Sequence, residues 1–109
     1  MKGKIVAVPF PFTDLKGAKV RPALVVYDGH EDVIVAFISS KIPADLLDIH
    51  VLLTREMPGF SLSGLKKDSV IQLNKLATIN KSLIKGEFGE IDSGIKKDVR
   101  RILVEIFNR

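Results

Sequence analysis

Few side chains in this sequence are equipped for reaction chemistry. Arg21 stands near the start of the apolar run VRPALVVYD (20–28), locked against Pro22, and the pair Ser39-Ser40 ends the apolar run DVIVAFIS (32–39). If the two runs form a hairpin around Asp28-Gly29, Arg21 and Ser39 meet at one rim. A guanidinium offers a planar fork of donors and a hydroxyl offers one more, a combination suited to phosphate. On these residues alone, ordinary loop closure is an equal reading.

Other chemistries lack their residues. There is no cysteine, so neither a disulfide framework nor a thiolate metal site is available. His30 and His50 are the only histidines and have no HxxH or HxxxH partner. Asp45 and Asp48 precede His50, but spacing does not make them converge, so a metal site is not expected. No phosphate-binding or dinucleotide glycine motif occurs, and no GxSxG elbow marks a nucleophilic serine. No cofactor is expected.

The elements that must position Arg21 and Ser39 come from hydrophobic periodicity. Apolar runs bounded by turn residues predict strands at 4–10, 20–28, 32–39, 48–54 and 68–73, with a short one at 75–79. Residues 12–17 (FTDLKG) carry turn chemistry, and MPGFSLSGL (57–65) reads as a Pro/Gly/Ser-rich loop. The period then changes. Ile95, Val99, Ile102, Leu103 and Ile106 recur at helical spacing after the plausible cap Asp92-Ser93, while Lys96, Lys97, Arg100 and Arg101 cover the other face as a solvated surface.

In run 32–39, Val33, Val35 and Phe37 alternate with Ile34, Ala36 and Ile38, so both faces must be covered. A barrel interior would cover one, and the C-terminal helix or a second subunit the other. The expectation is a mainly β chain: a small, partly open barrel with a C-terminal α-helix, as a homodimer.

The 109 residues suffice for one domain, 1–109, and not for two. A net charge of +4, from 17 basic and 13 acidic residues, mildly favours a polyanionic partner. Lys2 and Lys4 precede IVAVPFPF, but Pro9 and Pro11 interrupt it and Thr13-Asp14 ends it, so it reads as a strand rather than a secretory segment. No apolar run approaches the roughly 20 residues that span a bilayer. A cytoplasmic protein with no membrane partner is expected.

VPFPFTDLKGAKVRPALVV, VAFISSKI and GLKKDSVIQLNKLATI, in that order, resemble the PemK/MazF family of toxin endoribonucleases from bacterial toxin–antitoxin pairs. RPALVV after a strand and a glycine-bearing loop is the most specific part. The resemblance implies an SH3-like, plasmid-toxin (CcdB/PemK-type) barrel. It also implies metal-independent, sequence-specific cleavage of single-stranded RNA and neutralisation by a cognate antitoxin. Its principal catalytic residues, an arginine of an RP motif and a hydroxyl ending the third strand, fall on Arg21 and Ser39. Phe12, Thr13, Lys19, Ser40, Lys41, Gln72 and Asn74 would line the RNA groove, with unpaired bases stacked and read at their edges. Asn74 and Ala77 stand where the family often has an acidic and a basic residue. Two further readings remain: a catalytically degenerate SH3-like binding module, and a toxin of the same barrel that blocks DNA gyrase.

Overall fold

Apolar residues dominate the first three strands, and their two-residue alternation sets the architecture. In the computed structural model, which describes residues 1–10 and 19–109, these strands are β1 (Lys4–Phe10), β2 (Lys19–Asp28) and β3 (Asp32–Ser39). β4 (His50–Leu53), β5 (Ser69–Asn80) and β6 (Gly86–Glu90) complete one six-stranded antiparallel sheet in the order β4-β5-β3-β2-β1-β6. The sheet is curled, and a C-terminal helix, α2 (Ser93–Phe107), packs on it. The expected mainly β fold with a terminal helix is what forms.

Both faces of the central strands are apolar, and both are covered within the chain. Ile5, Leu24, Ala36 and Ile38 face a core closed by β4, Phe60 and the buried stripe Ile95, Val99 and Ile102 of α2. Val6, Val8, Ala23, Val25, Val33 and Val35 face a second core closed by Ile79, Leu83 and Ile84. No second subunit is needed for this outer face. Burying each such side chain stabilises the fold by about 1.5–3 kcal/mol, so the two cores together commit the sheet to its curl. Asp92 caps α2 by accepting from the Ile95 N–H at 2.8 Å, as expected from the sequence.

Two expectations need correction, and one strand was not expected at all. The runs 68–73 and 75–79 are one strand, β5, interrupted by a bulge: Gln72 pairs with Phe37 and Leu76 with Ala36, leaving residues 73–75 looped out between adjacent partners. Leu73 stays buried and its N–H donates to the Ile49 carbonyl at 3.2 Å. The stretch 57–65 contains a short helix, α1 (Phe60–Ser63), ended by Gly64 at φ +73°. Ser63 is buried there because its hydroxyl donates to the Phe60 carbonyl (2.5 Å) and accepts from the Leu65 N–H (3.2 Å). Finally, Gly-Glu-Phe-Gly-Glu, with no strand pattern of its own, becomes β6 by pairing with β1.

Candidate active site

The β2–β3 hairpin brings Arg21 and Ser39 to one end of the sheet. The last pair of its ladder is Ala23 with Phe37. Continuing that register by two residues sets Arg21 opposite Ser39, and Pro22, which has no N–H to give, falls where the ladder stops. On its other side Arg21 pairs with Val8, and Ser39 pairs with Val70. Arg21 and Ser39 line the same groove, about 840 Å³ in volume.

Local hydrogen bonding orients the hydroxyl. The Ser39 oxygen accepts from the Lys41 N–H at 3.0 Å, and its O–H, which donates to no described residue, can be given to the groove. Arg21 is exposed and forms no ion pair with any described residue. Lys41, Lys66, Lys67 and Lys75 also line the groove without ion pairs among the described residues, and no described lining residue is acidic. The nearest carboxylate in sequence to the Lys66-Lys67 pair, Asp68, instead accepts from the Arg55 N–H at 2.7 Å and meets the Arg55 guanidinium at 3.6 Å. Such an array of cations, none compensated by a described residue, concentrates positive potential on the groove.

Of the residues singled out by sequence, Arg21, Ser39, Ser40, Lys41 and Gln72 share this groove. Lys19, paired with Phe10 at the end of β1, and Asn74, exposed on the β5 bulge, are not among its lining residues. Phe12 and Thr13 lie outside the described residues. Sequence reasoning missed Lys66, Lys67, Lys75 and Phe88. Lys75 is delivered by the bulge, and bulges beside functional sites commonly re-aim a side chain. Ala77 packs against the second core instead.

The histidines are accounted for elsewhere. His30 is exposed, and the Nδ1 of His50 accepts from the Leu47 N–H at 3.0 Å. Asp48 pairs with Arg109 at 2.7 Å. Among the described residues, no three His, Cys, Asp or Glu side chains gather into a potential metal site, and no helix is long and apolar enough to cross a membrane.

Residues 1–107 match the family described as PemK-like, MazF-like toxin of type II toxin–antitoxin systems. The chain belongs to this family. No curated protein sequence matches it. Solved structures share its fold at low identity. An endoribonuclease in complex with its cognate antitoxin, from a mycobacterial species, superposes with a TM-score of 0.76 at 12% identity, covering 99% of this chain and 94% of the other. The Mycobacterium tuberculosis toxin MazF-mt6 gives 0.74 at 17% identity, with 96% of each chain covered. A further mycobacterial endoribonuclease gives 0.73 at 12% identity, covering 99% and 90%. So distant a likeness in a toxin of this family establishes the shared curled sheet and terminal helix, and leaves its chemistry to be argued from its own groove.

Proposed function

We propose that this toxin is a metal-independent endoribonuclease that cuts single-stranded RNA at short specific sequences through the 2′-hydroxyl of its substrate. The observation that carries the reading is the convergence of Arg21 and Ser39 in a groove with four lysines and no described acidic lining residue. The fork and the hydroxyl are donors suited to a phosphate whose oxygens gain charge in the transition state. In the reaction, the 2′-oxygen bonds to the adjacent phosphorus and the bond to the 5′-oxygen breaks. A proton leaves the 2′-hydroxyl and one is delivered to the departing 5′-oxygen, giving a 2′,3′-cyclic phosphate and a 5′-hydroxyl. Arg21 stabilises the charge. Its very high pKa makes it a poor proton donor, so its role is electrostatic. Ser39 supplies a second hydrogen bond.

The lysines hold the strand through its phosphates, which dominate affinity for nucleic acid. Neutralisation by a cognate antitoxin fits the family and the complexed relative, and a cytoplasmic site of action fits an RNA substrate. A homodimer is supported by the large apolar side chains left outside both cores, among them Leu47 at 58%, Val104 at 56% and Phe107 at 73% exposed. Obligate interfaces have this apolar character, and light scattering at micromolar concentration reports the state.

Incubating the purified protein with a mixed RNA pool, with and without EDTA, and mapping the ends tests the reading. Cleavage at one short sequence, unaffected by EDTA and abolished by a 2′-deoxy nucleotide 5′ of the cut, is expected. Loss of cleavage on chelation, or cutting of the deoxy-substituted RNA, would refute the mechanism.

A further inference from the structure

Phe88 is the extra residue of a bulge. Ile5 pairs with Gly89 and Val6 with Glu87, so two steps of β6 span one step of β1 and Phe88 has no partner across the ladder. The residue lines the groove and is 42% exposed. Leaving so much of an aromatic ring in water forgoes the stabilisation that burial would bring.

The backbone behind the ring is closely packed. Gly64, at φ +73°, lies against the Phe88 carbonyl, and Gly89 lies against the backbone of Leu62 and Ser63; a Cβ at either glycine would overlap those atoms. Two glycines thus let α1 and β6 clasp each other and hold the bulge still. Immediately after Gly64 and Leu65 come Lys66 and Lys67, both lining the groove. A fixed aromatic face beside cations that form no ion pair with a described residue suits a base stacked on the ring with its phosphates at the lysines. Preorganisation of this kind reduces what binding must order.

We propose that Phe88, with Lys66 and Lys67, forms a stacking subsite for one unpaired RNA base flanking the cut. This rests on the RNA-cleaving reading and adds a place where the strand is gripped away from Arg21 and Ser39. Stacking tolerates any base with a π-face, so the subsite fixes how the strand threads more than which base occupies it.

The test is a coupling measurement with RNA made uncleavable by a 2′-deoxy nucleotide at the cut. A single abasic position is walked along that RNA, and affinity for the wild-type protein and Phe88→Ala is read by anisotropy. At one position the abasic change should weaken wild-type binding roughly tenfold, the order expected for one stacked base. It should leave Phe88→Ala, already weakened by the same factor, unchanged. Phe88→Trp should restore the coupling and Phe88→Leu should not, with thermal melting confirming that each variant is folded. Additive losses at every position would overturn the subsite, as would Phe88→Ala binding RNA like wild type while changing its self-association. If wild-type protein cuts RNA but shows no coupling, only the subsite fails; if it cuts no RNA, the cleavage reading fails with it.

Discussion

Replacing Arg21 by lysine separates the guanidinium fork from its charge. The side chain is exposed and without an ion-pair partner among the described residues, so the fold loses little. Exposed substitutions of this kind stay within about 0.5 kcal/mol. Affinity for RNA should also change little, because the charge is kept and Lys41, Lys66, Lys67 and Lys75 still line the groove. The transition state is where the loss falls. Removing one well-placed donor to a developing oxyanion costs about 2.7–4 kcal/mol, or roughly 10²–10³-fold in kcat, and an ammonium cannot reproduce two parallel N–H groups. Single-turnover cleavage of a fluorogenic RNA, set beside anisotropy on its uncleavable form, separates the two terms. Arg21→Lys should bind within about twofold of wild type and cut at least a hundredfold more slowly. Folded Arg21→Lys protein cutting within tenfold of wild type would refute the assignment, as would a loss lying wholly in affinity.

Two further outcomes test how the site is supported. Asp28 receives hydrogen bonds from Lys81, the larger effect, and from the Met1 ammonium, each at 2.8 Å, and its pKa is lowered from 3.8 to about 2. A depressed carboxylate stabilises the fold above its unfolded pKa and loses that contribution as pH falls through the folded value. Asp28→Asn should therefore be less stable than wild type at pH 6, with the gap closing between about pH 4 and pH 2; urea titrations showing a constant gap would contradict this. Gly64→Ala places a side chain at positive φ and into the Phe88 carbonyl, whereas Gly86 has open space around its Cα. The left-handed conformation alone costs about 1–2 kcal/mol. Gly64→Ala should thus unfold at clearly lower urea than Gly86→Ala, and equal midpoints would count against the clasp between α1 and β6.

The parts of the fold legible in the sequence are those whose pattern is local. Residues 4–10, 20–28 and 32–39 carry apolar side chains on both faces and form three strands at or within a residue of their expected bounds, and the helical spacing of residues 95–106 becomes part of α2. The missed elements are set by distant partners. Gly86–Glu90 has two glycines and two glutamates and becomes a strand only because β1, some eighty positions earlier, offers it a ladder. Asn74 reads as a break between strands, yet β3 holds both sides of it in one. The site divides the same way. Arg21 and Ser39 follow from one hairpin, but Lys66, Lys67, Lys75 and Phe88 arrive on a loop and two bulges whose register no local pattern encodes. A pair of lysines after a glycine, and a lone aromatic between glycine-flanked glutamates, were the available signals.

β3, apolar on both sides, does not say which way up it lies. A one-residue slip flips every side chain of a strand, and here the exchange would trade one buried face for another at little loss of apolar contact. It would also turn the Ser39 hydroxyl out of the groove. What opposes the slip sits at the other end of the hairpin. There Val26 is an extra unpaired residue, the Gly29 N–H donates to the Asp32 carbonyl at 2.9 Å, and Asp28 is tied to Met1 and Lys81. The Lys81 N–H also donates to the Glu31 carbonyl at 2.9 Å. Seven residues at about 3.3 Å each put these contacts roughly 23 Å from Ser39. The aim of a hydroxyl at one rim of the sheet is therefore decided by polar contacts at the opposite rim, where no RNA need ever touch.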